Sequence, residues 1–115
     1  MPVTIYHNPQ CSTSRKTLDL IRETGIEPVI VDYRKAGWTK DLLTALFKAM
    51  KATPRDLLRI NGAPAEELGL TDPAVSDDRL LAAMIEHPVL VQRPIVVSDK
   101  GTILARPQEK VLGIL

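Results

Sequence analysis

Two short strands separated by a helix constrain this chain more than any other feature. Val3-Thr4-Ile5-Tyr6 alternates and is rich in β-formers, which predicts a strand. His7-Asn8-Pro9-Gln10 is polar and contains proline, so it reads as a turn. A helix follows, with Leu18, Ile21 and Leu20 toward its inner face and Gly25 at its stop. Pro28 to Asp32 holds the continuous run Val29-Ile30-Val31, the pattern of a buried parallel strand covered on both faces. Strands joined through a helix must run parallel, because the crossover returns the chain to the same end of the sheet. Near the other end, Ile95-Val96-Val97-Ser98 and Thr102-Ile103-Leu104-Ala105 flank the turn Asp99-Lys100-Gly101 and form a hairpin. A last helix is predicted from Pro107 toward Leu112. The order β-α-β, helical block, β-β-α gives an α/β fold: a small mixed sheet with helices on its faces.

The block between the sheet halves, Thr39 to His87, is helical in pattern. Thr39 offers an N-cap, and Leu42, Leu43, Leu46, Phe47 and Met50 follow at helical spacing. Thr53-Pro54-Arg55-Asp56 has the form of a capping box ahead of a short helix carrying Leu57, Leu58 and Arg59. Another helical turn or two is expected over Ala63 to Leu68. Ser76 caps a helix through Leu80, Leu81, Met84 and Ile85, which His87-Pro88 stops. Val89-Leu90-Val91 is too brief to assign. We find no linker, repeat or low-complexity tract, so residues 1–115 are read as a single domain with this block as an insertion.

Composition excludes several function classes. The net charge is +1, and the only aromatic residues are Tyr6, Tyr33, Trp38 and Phe47. A nucleic-acid partner is not expected, because neither a basic footprint nor a set of stacking platforms is present. No apolar run approaches the roughly 18 residues of a membrane helix. The N-terminal residues do not follow the pattern of a signal peptide, so the expected compartment is the cytoplasm. The single cysteine, Cys11, rules out an internal disulfide and an all-cysteine zinc site, and no metal is expected.

A lone cysteine is often only a small buried hydrophobe. The surroundings of Cys11 point elsewhere. It follows a strand and opens a helix, where free backbone N–H groups and the helix dipole favour the thiolate. His7 lies four residues upstream and Arg15 four downstream; either cation, brought close, would favour it further. Ser12, Thr13 and Ser14 place hydroxyls in the first turn, and with the free N–H groups they form a cradle for an anion. Such residues are also ordinary helix caps. Ser14 stands where a Cys-x-x-Cys motif has its second thiol, so this is a one-thiol form of the redox motif. Arg59 closes the short helix, and Arg93 and Arg106 each precede a proline at a joint between elements. Any one could be a surface arginine, but guanidinium forks suit tetrahedral oxyanions.

The strand followed by His7-Asn8-Pro9-x-Cys11 and Ser14-Arg15 resembles the glutaredoxin-linked arsenate reductases, a thioredoxin-fold family. Further stretches carry the resemblance along nearly the whole chain. They are Asp56-Leu57-Leu58-Arg59, Glu66-Glu67-Leu68-Gly69-Leu70, Ser76-Asp77-Asp78-Arg79-Leu80, His87-Pro88-Val89-Leu90, Arg93-Pro94-Ile95-Val96-Val97 and Arg106-Pro107. The resemblance implies a thioredoxin-like, glutaredoxin-like mixed four-stranded sheet with a helical insertion. In such a layout the residue before the second-half strand faces the active cysteine across a cis-proline, so Pro94 is expected to be cis. It also implies roles. Cys11 would be the nucleophile on arsenic, His7 would help keep it a thiolate, and Ser14 would donate a hydrogen bond to the sulfur. Ser12, Thr13, Arg15, Arg59, Arg93 and Arg106 are the candidate anion-binding residues. The expected reaction is reduction of arsenate to arsenite, with glutathione as co-substrate, glutaredoxin as partner and no bound cofactor.

Independently of family, a reductase with one cysteine needs an external thiol to turn over. Two alternatives share the fold. A glutaredoxin-like thiol transferase would use the same cysteine on glutathione adducts. An Spx-type regulator that binds RNA polymerase would need no catalysis, and Ser14 in the second thiol position argues against its disulfide switch.

Overall fold

The computed structural model describes residues 2–60 and 63–115. Two compact units emerge, one from residues 1–36 with 93–115 and the other from 37–92.

The first unit holds the whole sheet. Strand β1 (Thr4–His7) pairs in parallel with β2 (Val29–Asp32) and antiparallel with β3 (Ile95–Ser98), and β3 pairs antiparallel with β4 (Gly101–Leu104). The order is β2-β1-β3-β4, the mixed four-stranded sheet that the resemblance implies. Helix α1 (Ser12–Glu23) makes the crossover, and Leu18 and Ile21 are buried on it. They join Val3, Ile5 and Val96 of the sheet half, and Ala105, Val111 and Ile114 near the chain's end, in one apolar cluster. Gly25 ends the helix with φ +90, a conformation that glycine adopts without a Cβ penalty, and its N–H reaches Arg22 O at 3.0 Å.

Strand β2 is not the covered strand that its apolar run suggests. It is the sheet edge, with Val29 55% and Ile30 41% exposed. A run of Val and Ile satisfies β propensity at an edge as well as in the middle, so composition does not separate the two. A short helix, α2 (Tyr33–Ala36), follows directly; the sequence had offered no periodicity over so few residues. The final segment, Gln108–Ile114, is 3-10 and not α-helical. Both Arg93–Pro94 and Arg106–Pro107 are cis, the second without forewarning.

In the second unit, Thr39 Oγ1 caps α3 (Lys40–Met50) by accepting from Leu42 N, and Ser76 Oγ caps α4 (Asp77–Glu86) by accepting from Arg79 N. The helices pack through buried Leu43, Leu46 and Phe47 on α3 and Leu80, Ala83 and Met84 on α4. The capping box forms: Thr53 N donates to Asp56 Oδ2 at 2.9 Å, and Asp56 N to Thr53 Oγ1 at 3.3 Å. It opens only a 3-10 turn, Arg55–Leu57, because Leu58 leaves it to bridge Val91. Residues 63–70 form consecutive turns where a helix was expected. Arg55 organises the stretch that follows, donating to the carbonyls of Leu70, Asp72 and Val75.

Candidate active site

The site is built where β1 hands over to α1. Asn8 O accepts from Cys11 N at 2.9 Å, and Asn8 Oδ1 accepts from Gln10 N at 3.0 Å, so the chain turns tightly after His7. Cys11 is the N-cap residue, extended at φ −92, ψ 121, and Cys11 O accepts the first helical bond from Arg15 N at 3.0 Å. Its thiol offers no cap oxygen, and the first turn carries no acidic residue. The positive end of α1 therefore goes uncompensated by the protein and faces the sulfur.

The Cys11 pKa lies below the usual thiol value. Burial is the largest single influence and pushes it up. The Ser14 backbone N–H, the Arg93 guanidinium and the Arg106 guanidinium together outweigh it. Arg106 Nη1 lies 4.0 Å from Cys11 Sγ and also donates to Arg93 O at 3.0 Å, which ties the two arginine-bearing joints together. Nε and Nη1 of Arg93 are buried with no hydrogen-bond acceptor.

His7 and Ser14 meet behind the loop. Ser14 is fully buried; its Oγ shares a 2.5 Å hydrogen bond with His7 Nδ1 and accepts from Asn8 N at 3.1 Å. The group of Ser14 that favours the thiolate is its backbone N–H; its hydroxyl, expected as a donor beside the sulfur, is turned to His7 and Asn8 instead. Burial lowers the His7 pKa, Arg15, Arg22 and Arg34 lower it further, and Asp32 opposes them. Burial thus favours the neutral form of the His7 imidazole. Arg15 turns back to donate to Pro9 O at 2.9 Å, and its charge lowers the His7 pKa. Ser12 is exposed; with His7, Pro9 and Arg15 it lines an open groove of about 420 Å³. Thr13 is half-buried, and its carbonyl accepts from Thr17 Oγ1 at 2.8 Å. Arg59 belongs to the second unit, where Nη1 donates to Gln92 Oε1 at 3.3 Å and its backbone N–H to Leu90 O at 2.7 Å.

Two residues of the site went unassigned in the sequence. Asn8 holds the loop through both its backbone and its side chain, and its Nδ2 donates to the hydroxyl of Tyr33 at 3.2 Å. An Asx turn before a helix cap was legible at Asn8; nothing marked Tyr33, which lies 25 residues away in sequence. Among the described residues, no cluster of three or more His, Cys, Asp or Glu side chains is placed to hold a metal ion.

A mixed β2-β1-β3-β4 sheet with one cysteine at its first strand-helix junction, its pKa lowered by the Ser14 N–H and two guanidinium groups, defines a thioredoxin-like protein of the single-thiol kind. The ArsC family profile matches residues 6–114, and the chain belongs to the ArsC family. An arsenate reductase of Rhizobium meliloti (strain 1021) is 53% identical over 115 residues, covering 100% of this chain and 82% of that protein. One from Escherichia coli (strain K12) is 51% identical, covering 98% and 80%. Among solved structures, an arsenate reductase from Vibrio cholerae superposes with a TM-score of 0.94 at 42% identity, covering 100% of this chain and 98% of that one.

Proposed function

We propose that this chain reduces arsenate to arsenite with Cys11 as the nucleophile. The observation that carries the reading is a stabilised thiolate flanked by Arg93 and Arg106 at the positive end of α1. A tetrahedral oxyanion is the chemistry that such a cradle favours, since guanidinium forks and helix N–H groups both bind its oxygens. The buried edge of Arg93, without a protein acceptor, supports the same reading. So do relatives named arsenate reductases at about half identity over nearly the whole chain.

In the proposed reaction the Cys11 thiolate attacks arsenic, an S–As bond forms, and one arsenate oxygen leaves as water after protonation. Arsenic stays pentavalent in this adduct. Arg93 and Arg106 balance the charge on the remaining oxygens. The chain has 1 cysteine, so the thiols that complete the reaction come from other molecules. Two thiol equivalents supply two electrons and leave joined as a disulfide, which takes the Cys11-bound arsenic from the pentavalent to the trivalent state; water then displaces the Cys11 thiolate, the S–As bond breaks, and arsenic departs as arsenite. We assign the first to glutathione and the second to glutaredoxin on the family resemblance, which also proposes Arg59 as a further arsenate ligand. The reading places the protein in the cytoplasm, in arsenical resistance. No helix of the described residues is long and apolar enough to cross a membrane.

A coupled assay tests the proposal: arsenate, glutathione, glutaredoxin and an NADPH recycling system. Wild type should consume NADPH in proportion to arsenate, and Cys11→Ser should not. Equal rates for the two proteins would remove Cys11 from the reaction.

A further inference from the structure

The Cys11 loop is held by one residue, Asn8, whose side chain has an anchor outside the loop. Asn8 makes four hydrogen bonds of three kinds. Its carbonyl and Oδ1 accept from Cys11 N and Gln10 N, which shapes the turn. Its N–H donates to Ser14 Oγ, which joins the turn to the first turn of α1. Its Nδ2 donates to Tyr33 Oη. Asn8 is 6% exposed and Tyr33 0%, so neither can exchange this bond for water without moving. Tyr33 opens α2 directly after β2, and β2 is in parallel register with β1, His7 beside Asp32. The hydroxyl is therefore delivered by the neighbouring strand, not by the loop that it holds.

We propose that Tyr33 is a positioning residue for the nucleophile: its buried hydroxyl holds the Asn8 amide, and Asn8 in turn sets the turn that aims the first N–H groups of α1 at the Cys11 sulfur. The inference rests on Cys11 being the reactive group, but not on what it attacks. The groups that act on the sulfur directly are the Ser14 N–H from α1, Arg93 ahead of β3 and Arg106 beyond β4. Tyr33 touches none of them through its bond to Asn8. It fixes where the first of them sits.

The test is the thiolate itself, read in the folded protein without arsenate. Cys11 is the sole thiol, so the rate of iodoacetamide alkylation followed against pH titrates it alone. Tyr33→Phe keeps the ring and removes the hydroxyl. It should raise the apparent Cys11 pKa and slow alkylation below that pKa by about two- to tenfold, the range one lost hydrogen bond supplies. Asn8→Ala should do the same or more. The double variant should match Asn8→Ala alone, because the proposal has the Tyr33 hydroxyl act through the Asn8 amide. Additive effects, or a Tyr33→Phe protein with lowered melting temperature but an unaltered thiolate titration, would overturn the proposal. Should Tyr33→Phe fail to fold, Asn8→Ala with an unaltered titration overturns it by itself. Loss of arsenate reduction with all titrations as expected would count against the arsenate reading and leave this one standing.

Discussion

Replacing Arg106 with leucine removes one of the two guanidinium groups beside the nucleophile and keeps much of its aliphatic bulk. Its Nη1 stands 4.0 Å from Cys11 Sγ. Two unit charges at that separation attract by about 1 kcal/mol in bulk water and about 4 kcal/mol at the effective dielectric of a protein surface. Both groups are half-buried, so the working value lies between these limits. Each 1.4 kcal/mol is a factor of about ten in the thiol–thiolate equilibrium. After water fills the space left behind, we expect about a tenfold to hundredfold loss of thiolate at any pH below the pKa. The sign follows from charge: removing a cation disfavours the anion, so the titration moves to higher pH. Iodoacetamide alkylation at pH 6 measures it, and the single thiol makes the assay unambiguous. Arg106→Lys should retain part of the effect, as a point charge without the fork that also holds Arg93 O. Arg15→Leu is the comparison: its cation bonds Pro9 O, so its loss should cost less thiolate than the loss of Arg106. If Arg106→Leu leaves the alkylation rate unchanged while Arg15→Leu lowers it, the electrostatic assignment is wrong.

Further expectations concern stability. The His7 pKa is lowered in the folded chain from 6.5, so the unfolded chain binds more protons between the two values; stability is full above about pH 6.5 and declines as pH falls below it, and His7→Gln should flatten that part of a melting-temperature profile. Ser76→Ala removes the cap of α4 and should cost about 1 kcal/mol by chemical denaturation, with Ser76→Asp restoring it. Ile21→Ala, at a wholly buried position in the sheet-side cluster, should cost about 2–5 kcal/mol in the same experiment.

Local signals in the chain determined a good deal by themselves. The parallel β1–β2 unit follows from a helix lying between two strands, and the hairpin from a turn between two apolar runs. Thr39 and Ser76 as caps follow from a hydroxyl placed ahead of an amphipathic period. Cys11 as an N-cap thiol is legible for the same reason: a strand, a proline turn and a helix start are all written within a dozen residues. That it is the only cysteine, so that any turnover needs an outside thiol, is a matter of counting.

Tertiary structure decided what depends on neighbours from elsewhere in the chain. Val29-Ile30-Val31 has the composition of a covered strand, but whether a strand is central or at an edge is set by which strands pair with it, and here only β1 does. His7 lies four residues before Cys11, but burial favours its neutral form and its Nδ1 bonds Ser14 Oγ. Arg15 is near Cys11 in sequence, yet its guanidinium bonds Pro9 O, while Arg106, 95 residues away, lies against the sulfur. Electrostatic influence falls with distance through space, not along the chain, and the Tyr33 hydroxyl meets Asn8 because β2 lies beside β1.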